Sequence, residues 1–383
     1  MKKLLLIPLV TILAISMVLG SCGDSEETTS PTTSPTTSPT TSPTTSPTTS
    51  PTTSPTTSPT TTPEVIELTM SYHAPLVASL AQAMMEPWAD EIEARTNGRV
   101  KIVRHPGGTL LGAADAYDGV LAGICDIAVI APQEFAGRFP RSAVTQLPFL
   151  FPSTEVAGVV THELLDKYCA DTEYKDAKIL ITLPLHPANY LGNNPVETLE
   201  DFEGLNIRAP GKIDAAMIEA FGGTPVLVST LDMFSALDTG MIDGTFFTWG
   251  GSLAFGIKDV TKYTTECAAF LSVFHLVMNR DAFDSLPADI QQIFNEMSTL
   301  ETSRKYGAAH QEMDAPKRKA IDVYNMRNDQ PDVYVLPPEE LARWQVAAQP
   351  VWDEWVAELE EDGIPGQAIL DDVLSWIEQY SQS

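Results

Sequence analysis

The residue with the clearest chemical potential is Arg208, which lies in a short apolar run, Leu205–Pro210, of an acidic chain. The sequence has 51 acidic and 23 basic residues and a formal net charge of −28. A guanidinium is planar and permanently charged, and it can donate two parallel hydrogen bonds to a carboxylate. A surface position, or an ion pair with Asp201 or Glu203, is the alternative. The apolar flanks favour a site for an anionic ligand. The acidity argues against binding to nucleic acid or to an anionic membrane surface.

Catalytic motifs are absent from the sequence. It contains no HExxH, no GxSxG, no Walker loop and no GxGxxG after a predicted strand. The six histidines are scattered, and no cysteine spacing suits a metal. Cys125, Cys169 and Cys267 are interpreted as small buried residues, with a disulfide as the alternative. We therefore expect no enzyme and no cofactor.

The first residues predict export. Two lysines precede an apolar run, Leu4–Leu19, that is shorter than the about 20 residues of a membrane span and fits a secretory signal. The run ends in LGSC at 19–22, which resembles a bacterial lipobox. That resemblance implies cleavage after residue 21 and lipidation of Cys22, which would anchor the protein without spanning the membrane. An ordinary signal peptide with a chance cysteine is the alternative.

A low-complexity segment follows the predicted lipidation site. SPTT repeats eight times from Ser30 to Thr61. Proline favours extended polyproline II, so residues 22–64 are predicted to form a semi-rigid linker rather than part of a core.

Strand and helix patterns alternate from Val65 onward, which predicts βαβ units, mostly parallel sheets and, at this length, two lobes. The predicted strands are Val65–Ser71, Arg99–Arg104, Ile124–Ala131, Lys178–Leu183, Leu205–Arg208, Thr224–Val228 and one from Asp243. The predicted helices are Ala74–Thr96, Ala113–Ala122, Gly211–Phe221, Leu231–Thr239, a long stretch from Asp289 towards Ala320, Pro338–Glu361 and Gln367–Gln379. Four C-terminal tryptophans are expected to pack in the core. A two-lobed α/β chain suggests a binding protein that closes on a small ligand.

Four segments in this order resemble one family. They are ARTNGRVKI with PGGTLLG (94–102, 106–112), GICDI with LPFLF (123–127, 147–151), EDFEGLNIRAP (200–210), and TPV with ALDTGMIDG (224–226, 236–244). Together they resemble the solute-binding subunit of TRAP (tripartite ATP-independent periplasmic) transporters, the DctP-type family.

The resemblance implies a two-lobed periplasmic-binding-protein-like α/β fold with hinge strands and a long spanning helix. The lobes are predicted at about 65–185 with 273–312 and at about 186–272 with 313–383. It also implies an organic acid held by Arg208, and delivery to integral membrane permease subunits without ATP. Polar contacts from the other lobe are expected near His73, Gln133 and Glu134, which follow predicted strands.

The chain departs from the family pattern in one respect. Family members that bind sialic acid or four-carbon dicarboxylates have a second arginine about twenty residues upstream of the first. Here His186 and Asn189 occupy that region, where they could bind a hydroxyl or keto oxygen. Strand alternation would place Phe247 and Trp249 on one face, either lining an apolar pocket or packing in the core. A monocarboxylate with an apolar or aromatic body therefore fits better than a dicarboxylate.

Three other functions remain as alternatives at this point. They are a receptor for an ATP-driven importer, a ligand-sensing lipoprotein and a secreted α/β enzyme.

Overall fold

The computed structural model describes residues 65–382. Cys22, the predicted signal peptide and the SPTT repeats lie outside this range. The strands are β1 (Ile66–Ser71), β2 (Val100–His105), β3 (Ile127–Ile130), β4 (Ala177–Pro184), β5 (Ala188–Gly192), β6 (Asn206–Ala209), β7 (Thr224–Leu227), β8 (Gly244–Phe247), β9 (Tyr263–Phe270), β10 (Val273–Asn279) and β11 (Tyr334–Val335). The helices are α1 (Glu86–Arg95), α2 (Ala116–Leu121), α3 (Thr154–Leu164), α4 (Lys212–Ala220), α5 (Met233–Asp238), α6 (Trp249–Ala254), α7 (Arg280–Asp284), α8 (Ala288–Glu296), α9 (Leu300–Asp314), α10 (Lys317–Arg327), α11 (Pro338–Glu361) and α12 (Gly366–Ser381).

The strands form two mixed sheets. The first has the order β2-β1-β3-β10-β4, in which β1 is parallel to β2 and β3 while β10 is antiparallel to its neighbours. The second has the order β11-β9-β5-β8-β6-β7, in which β6 is parallel to β7 and β8 while β5 is antiparallel to β8 and β9. The predicted α/β fold with two sheets is confirmed, and each sheet also contains antiparallel strands.

The chain crosses between the sheets at two neighbouring points. It leaves the first sheet after β4, enters the second as β5, and returns from β9 to β10. The backbone N–H of Leu185 donates to the carbonyl of Ser272 (2.8 Å), so the two crossings lie side by side. The lobe boundaries stay a prediction, because the last helix, α12, packs against α3, which lies in the other predicted lobe.

The predicted long helix from Asp289 towards Ala320 is instead three helices, α8, α9 and α10. Thr299 caps α9 by accepting from the N–H of Thr302 (3.2 Å), and Pro316 precedes α10. Both residues interrupt an apolar pattern that otherwise continues, which explains why periodicity alone suggested one helix.

Helix α9 lies very close to α3. A Cβ atom added at Gly307 would lie 3.1 Å from the carbonyl oxygen of Thr154 and 3.0 Å from Pro184. The missing side chain therefore lets the helices approach, and this fixes the position of the C-terminal turn of α9.

The remaining sequence predictions about packing hold. Trp344 and Trp355 are buried, and Trp352 and Trp376 pack against the same core cluster. Cys125, Cys169 and Cys267 are buried and free. Among residues 65–382, no helix has the length and apolar character needed to span a membrane.

Candidate functional site

A cavity is lined by residues from both sheets and from α9. Its empty volume is about 710 Å³, counting the part that opens to solvent. From the first sheet and its loops come His73, Gln133, Leu185 and Phe274, and from the second come Arg208, Thr230, Phe246, Phe247 and Phe270. His310 and Asp314 are contributed by α9.

Arg208 lies in β6 with only 4% of its surface exposed. Its Nε donates to the carbonyl of Val228 (2.9 Å), and its Nη2 donates to Oγ1 of Thr230 (2.9 Å) and, at 3.5 Å, to Oε1 of Glu134. The hydroxyl of Thr230 also donates to Glu134 (2.8 Å). Within the described residues, Nη1 donates to no protein atom, so its two N–H groups remain for a ligand.

The turn before β6 explains why Arg208 faces the cavity rather than a neighbouring acid. Asp201 accepts from the backbone N–H groups of Glu197 (2.9 Å) and Thr198 (2.8 Å), as part of a capping box. Asp243 accepts from the N–H of Asn206 (2.8 Å) and thereby ties the start of β6 to the turn before β8. The alternative of a pair between Arg208 and Asp201 is therefore not what the structure shows.

Burial controls the electrostatics around Arg208. Desolvation lowers the pKa of Arg208, while Glu134 and Asp214 raise it. Burial, and then the charge of Arg208, lower the pKa of His73 to about 4, so this imidazole is neutral at physiological pH. Burial raises the pKa of Asp214 to about 7, against the opposing effect of Arg208. The guanidinium is thus the permanent cation of a buried polar cluster, where electrostatic interactions are stronger than in water.

Most of the predicted site residues come together here. His73, His186, Gln133, Phe247 and Arg208 line the cavity. Glu134 lies behind the guanidinium, where its carboxylate positions Arg208. Nδ1 of His73 and Oε1 of Gln133 are buried without a hydrogen-bond partner in the described residues, so both can serve a ligand.

Asn189 and Trp249 do not line the cavity. The side-chain oxygen of Asn189 accepts from the N–H groups of Cys267 (2.9 Å) and Ala268 (3.0 Å), and its amide donates to Pro187 (3.1 Å). These bonds hold an irregularity in β9, where Ala268 has a positive φ of 47°, so Asn189 has a structural role.

Trp249 is not on the strand that alternation predicted. Strand β8 ends at Phe247, and Thr248 caps α6 by accepting from the N–H of Gly251 (3.0 Å). Trp249 is the first residue of this helix and packs in a core cluster with Ile321 and Val333. The period-two pattern ended at Thr248, a residue type that favours helix N-caps and is visible in the sequence.

Several lining residues were not identified from the sequence. Thr230 follows β7, the parallel neighbour of β6, so the rule that ligands lie beyond the carboxyl ends of strands could have found it. Phe270 and Phe274 flank the second crossing between the sheets, and His310 and Asp314 lie one turn apart on α9. Nothing local marks these four residues, because their place in the site depends on packing between distant elements.

Residues 65–382 contain no group of three or more His, Cys, Asp or Glu side chains arranged to hold a metal ion.

Comparison with known proteins identifies the family and the fold. The model of bacterial extracellular solute-binding protein family 7, DctP, matches residues 70–359. A TRAP solute-binding protein from Rhodoferax ferrireducens, solved with copurified benzoate, superposes with a TM-score of 0.79 at 26% identity, over 83% of this chain and 99% of that one.

Two further proteins are also similar. A TRAP solute-binding protein of Bordetella bronchiseptica with bound mandelate has a TM-score of 0.74 at 24% identity, over 82% of this chain and 99% of that one, which shows the same fold. The C4-dicarboxylate-binding protein DctP of Rhodobacter capsulatus is 23% identical over 68% of this chain and 78% of its own length. The match to the family model covers most of the described chain, and the chain therefore belongs to the DctP family, the solute-binding proteins of TRAP transporters.

Proposed function

We propose that this receptor binds an organic monocarboxylate with an apolar or aromatic body and that Arg208 holds its carboxylate. The observation that carries the proposal is the charge of the cavity. Among the lining residues, all from the described range, Arg208 is the one lysine or arginine, and its Nη1 is free of internal hydrogen bonds. One guanidinium matches one carboxylate.

The bond to the ligand carboxylate is expected to form on the Nη1 side of the guanidinium. Val228 and Thr230 hold the Nε and Nη2 atoms, which fixes the plane of the group before a ligand arrives. The long contact to Glu134, 3.5 Å, is the weakest of the three. A ligand carboxylate can therefore bind Nη1 and share Nη2 without breaking the two short bonds.

The apolar part of the cavity favours an apolar or aromatic ligand body. Five phenylalanines line it, and they form close pairs: the ring centroids of Phe247 and Phe255 are 5.7 Å apart, and those of Phe246 and Phe270 are 6.2 Å apart. Aromatic rings gain about 0.5–1.5 kcal/mol per favourable pair beyond the burial of their area. A planar aromatic acid can use these surfaces, whereas a short dicarboxylate cannot.

A second ligand carboxylate has no partner in this cavity. The described lining residues include no second permanent cation, and they include the buried carboxylate of Asp314. Because burial strengthens repulsion between like charges, a dianion is disfavoured. The benzoate and mandelate seen in the Rhodoferax and Bordetella proteins support this ligand class, whereas the Rhodobacter relative is named for dicarboxylates.

The cellular setting follows from the family together with the sequence. The family is extracellular and receives solutes for a membrane permease, which favours a secondary transporter over the alternatives of an ATP-driven importer, a sensor or an enzyme. We further propose that Cys22 carries lipid and that residues 22–64 tether the receptor to the membrane. Cell fractionation tests this, because Cys22→Ser is expected to move the protein from the membrane fraction to the soluble fraction.

Isothermal calorimetry with a panel of acids tests the proposed ligand class. Benzoate, mandelate, a branched aliphatic monocarboxylate, succinate and malate would be titrated into the purified receptor at one pH. We expect at least one monocarboxylate to bind about a hundredfold or more tighter than either dicarboxylate, since the second carboxylate must be desolvated unpaired. Tight binding of succinate or malate, without binding of any monocarboxylate, would contradict the proposal.

A further inference from the structure

A second polar cluster lines the cavity, separate from Arg208. It consists of Asp314 and His310, one turn apart on α9, His186 between β4 and β5, and Ser79, and we call it the Asp314 cluster. Its hydrogen bonds share no residue with those of Arg208, which involve Val228, Thr230 and Glu134.

The carboxylate of Asp314 is only half satisfied by the protein. Its Oδ1 accepts from the hydroxyl of Ser79 (2.7 Å) and from the backbone N–H of Gly250 (3.0 Å). Its Oδ2 has no hydrogen-bond partner in the described residues, although the side chain is fully buried. A buried carboxylate oxygen without a donor costs free energy, so this atom is a strong acceptor for any donor that enters the cavity.

The histidines beside Asp314 do not supply that donor. Nδ1 of His186 lies 3.8 Å from Oδ2, which is too long for a hydrogen bond. Burial, which outweighs the effect of Asp314, lowers the pKa of His310 to about 4, and burial also lowers the pKa of His186. Both Nδ1 atoms are buried without a hydrogen-bond partner in the described residues, and both histidines line the cavity.

We propose that the Asp314 cluster binds a hydrogen-bond-donating substituent, a hydroxyl or a neutral amino group, on the part of the ligand away from its carboxylate. This inference rests on the proposed function, because Arg208 must hold the carboxylate for the other end to reach Asp314. The ligand class then narrows to hydroxy- or amino-substituted acids with an apolar or aromatic body. Oδ2 accepts from the substituent, and Asp314 keeps its bonds to Ser79 and Gly250.

The same geometry predicts which substituents are excluded. A methoxy group has no proton to donate, and a second carboxylate brings a like charge to a buried anion. Both leave Oδ2 without a donor, and the methoxy group also adds volume at this end of the cavity. A preference for a hydroxyl over a methoxy group that falls when Asp314 is replaced is therefore the signature of the cluster.

The wild-type receptor can test the inference without any variant. Calorimetric titrations would compare benzoate with its 3- and 4-hydroxy, 3- and 4-amino, and 3- and 4-methoxy derivatives. A hydrogen bond to a charged acceptor is stronger than one between neutral groups, so at least one hydroxy or amino derivative is expected to bind about tenfold or more tighter than benzoate. The matching methoxy derivative is expected to bind more weakly than that derivative by a similar factor.

The outcomes separate this inference from the proposed function. If benzoate binds and no hydroxy or amino derivative binds tighter, the inference is wrong and the proposed function stands. If no member of the series binds, both fail for this ligand class. If a hydroxy or amino derivative binds tighter than both benzoate and its methoxy counterpart, the inference is supported, and the ratio of hydroxy to amino affinity tells which donor the site prefers.

A variant adds a check on the residue itself. Asp314→Asn keeps an oxygen for Ser79 and Gly250 and places an amide donor at Oδ2. We expect the hydroxy-to-methoxy affinity ratio to fall about tenfold or more in Asp314→Asn. Glu312→Gln, an exposed acid two residues away on the same helix, is the matched control and should keep the wild-type ratio. An unchanged ratio in a folded Asp314→Asn protein would overturn the role of Asp314.

Discussion

At the scale of single residues, two protein carboxylates lie near Arg208 before any ligand binds. Glu134 approaches its Nη2, and Asp214 lies near enough to raise its pKa. Neither acid was expected to form a buried pair from the sequence, although Glu134 was predicted as a site residue. An incoming carboxylate therefore competes with these protein carboxylates for the guanidinium. The protonation state of Asp214 changes the strength of that competition.

Asp214→Asn should change how stability depends on pH. The pKa of Asp214 in the folded protein, about 7, is above its ordinary value of 3.8 because of burial. Folding therefore favours the protonated carboxyl, whose stabilising contribution is fully present below about pH 4 and is lost as the pH rises through about 7. We expect the free energy of unfolding of Asp214→Asn, relative to wild type, to be higher at about pH 8 than at about pH 5, by an amount on the order of a few kcal/mol at most.

Chemical denaturation of both proteins at the two pH values measures this difference. Asp284→Asn would serve as a control, because it replaces an exposed aspartate in α7. A difference between Asp214→Asn and wild type that does not vary with pH, or that shrinks at the higher pH, would contradict the assigned pKa.

The sequence identified some of the residues at the candidate site correctly and misplaced others. Arg208 was identifiable because a permanent cation in an apolar run has few explanations. His186 was placed in the site, but its neighbour Asn189 forms its bonds with the backbone instead. Asn189 could not be recognised as structural from the sequence, because its partner Cys267 lies 78 positions further along the chain, in the irregular part of β9.

At the scale of elements, helix α4 and the loop after β3 meet at Gly211. A Cβ atom at this position would lie 2.5 Å from the backbone oxygen of Gln133, which cannot move aside as a flexible side chain can. This contact links the strand end that carries Gln133 and Glu134 to the segment that follows Arg208. Its geometry therefore sets the distance between Glu134 and the guanidinium.

Gly211→Ala is expected to destabilise the protein by about 1–3 kcal/mol, the usual range for overpacking a close contact. It should also weaken binding of the best acid, because Gln133 and Glu134 must shift. Gly112→Ala is the control: that position has no positive φ, and an added Cβ would meet only the Asp115 carboxylate at 3.7 Å. Thermal unfolding with and without ligand measures both effects, and equal losses in the two variants would contradict the role of this contact.

The predicted elements were most accurate where local signals were complete. Helix α11 was predicted with the bounds that the structure has, because Pro338 starts it and an amphipathic pattern continues to Glu361. Strands β5, β9 and β10 were not predicted. They are mostly buried on both faces and show little alternation, and their partners are distant in sequence.

At the scale of the whole molecule, the ligand site depends on both sheets. Arg208, Phe246 and Phe270 come from the second sheet, while His73 and Phe274 come from the first, and the crossings at 185–187 and 271–272 lie beside the cavity. We expect a ligand that contacts both sides to favour the arrangement in which both contacts form. The two-sheet fold could be predicted from alternation and length. The cavity lining could not, because it arises from the way the sheets and α9 meet.

The most direct test of the central claim is a calorimetric titration of the tightest acid from the panel into three proteins. They are wild type, Arg208→Gln combined with Glu134→Gln, and Arg99→Gln as a control at an exposed arginine that pairs with Asp289. The double change is used because removing Arg208 alone would leave Glu134 buried without its cation.

If Arg208 holds the ligand carboxylate, wild type and Arg99→Gln should bind the acid alike. The double variant should bind it about thirtyfold or more weakly, because it loses about 2 kcal/mol or more from a buried charge pair. Circular dichroism would confirm that the double variant is folded. Binding by the folded double variant within about threefold of wild type would contradict the account, since a threefold change is below 1 kcal/mol.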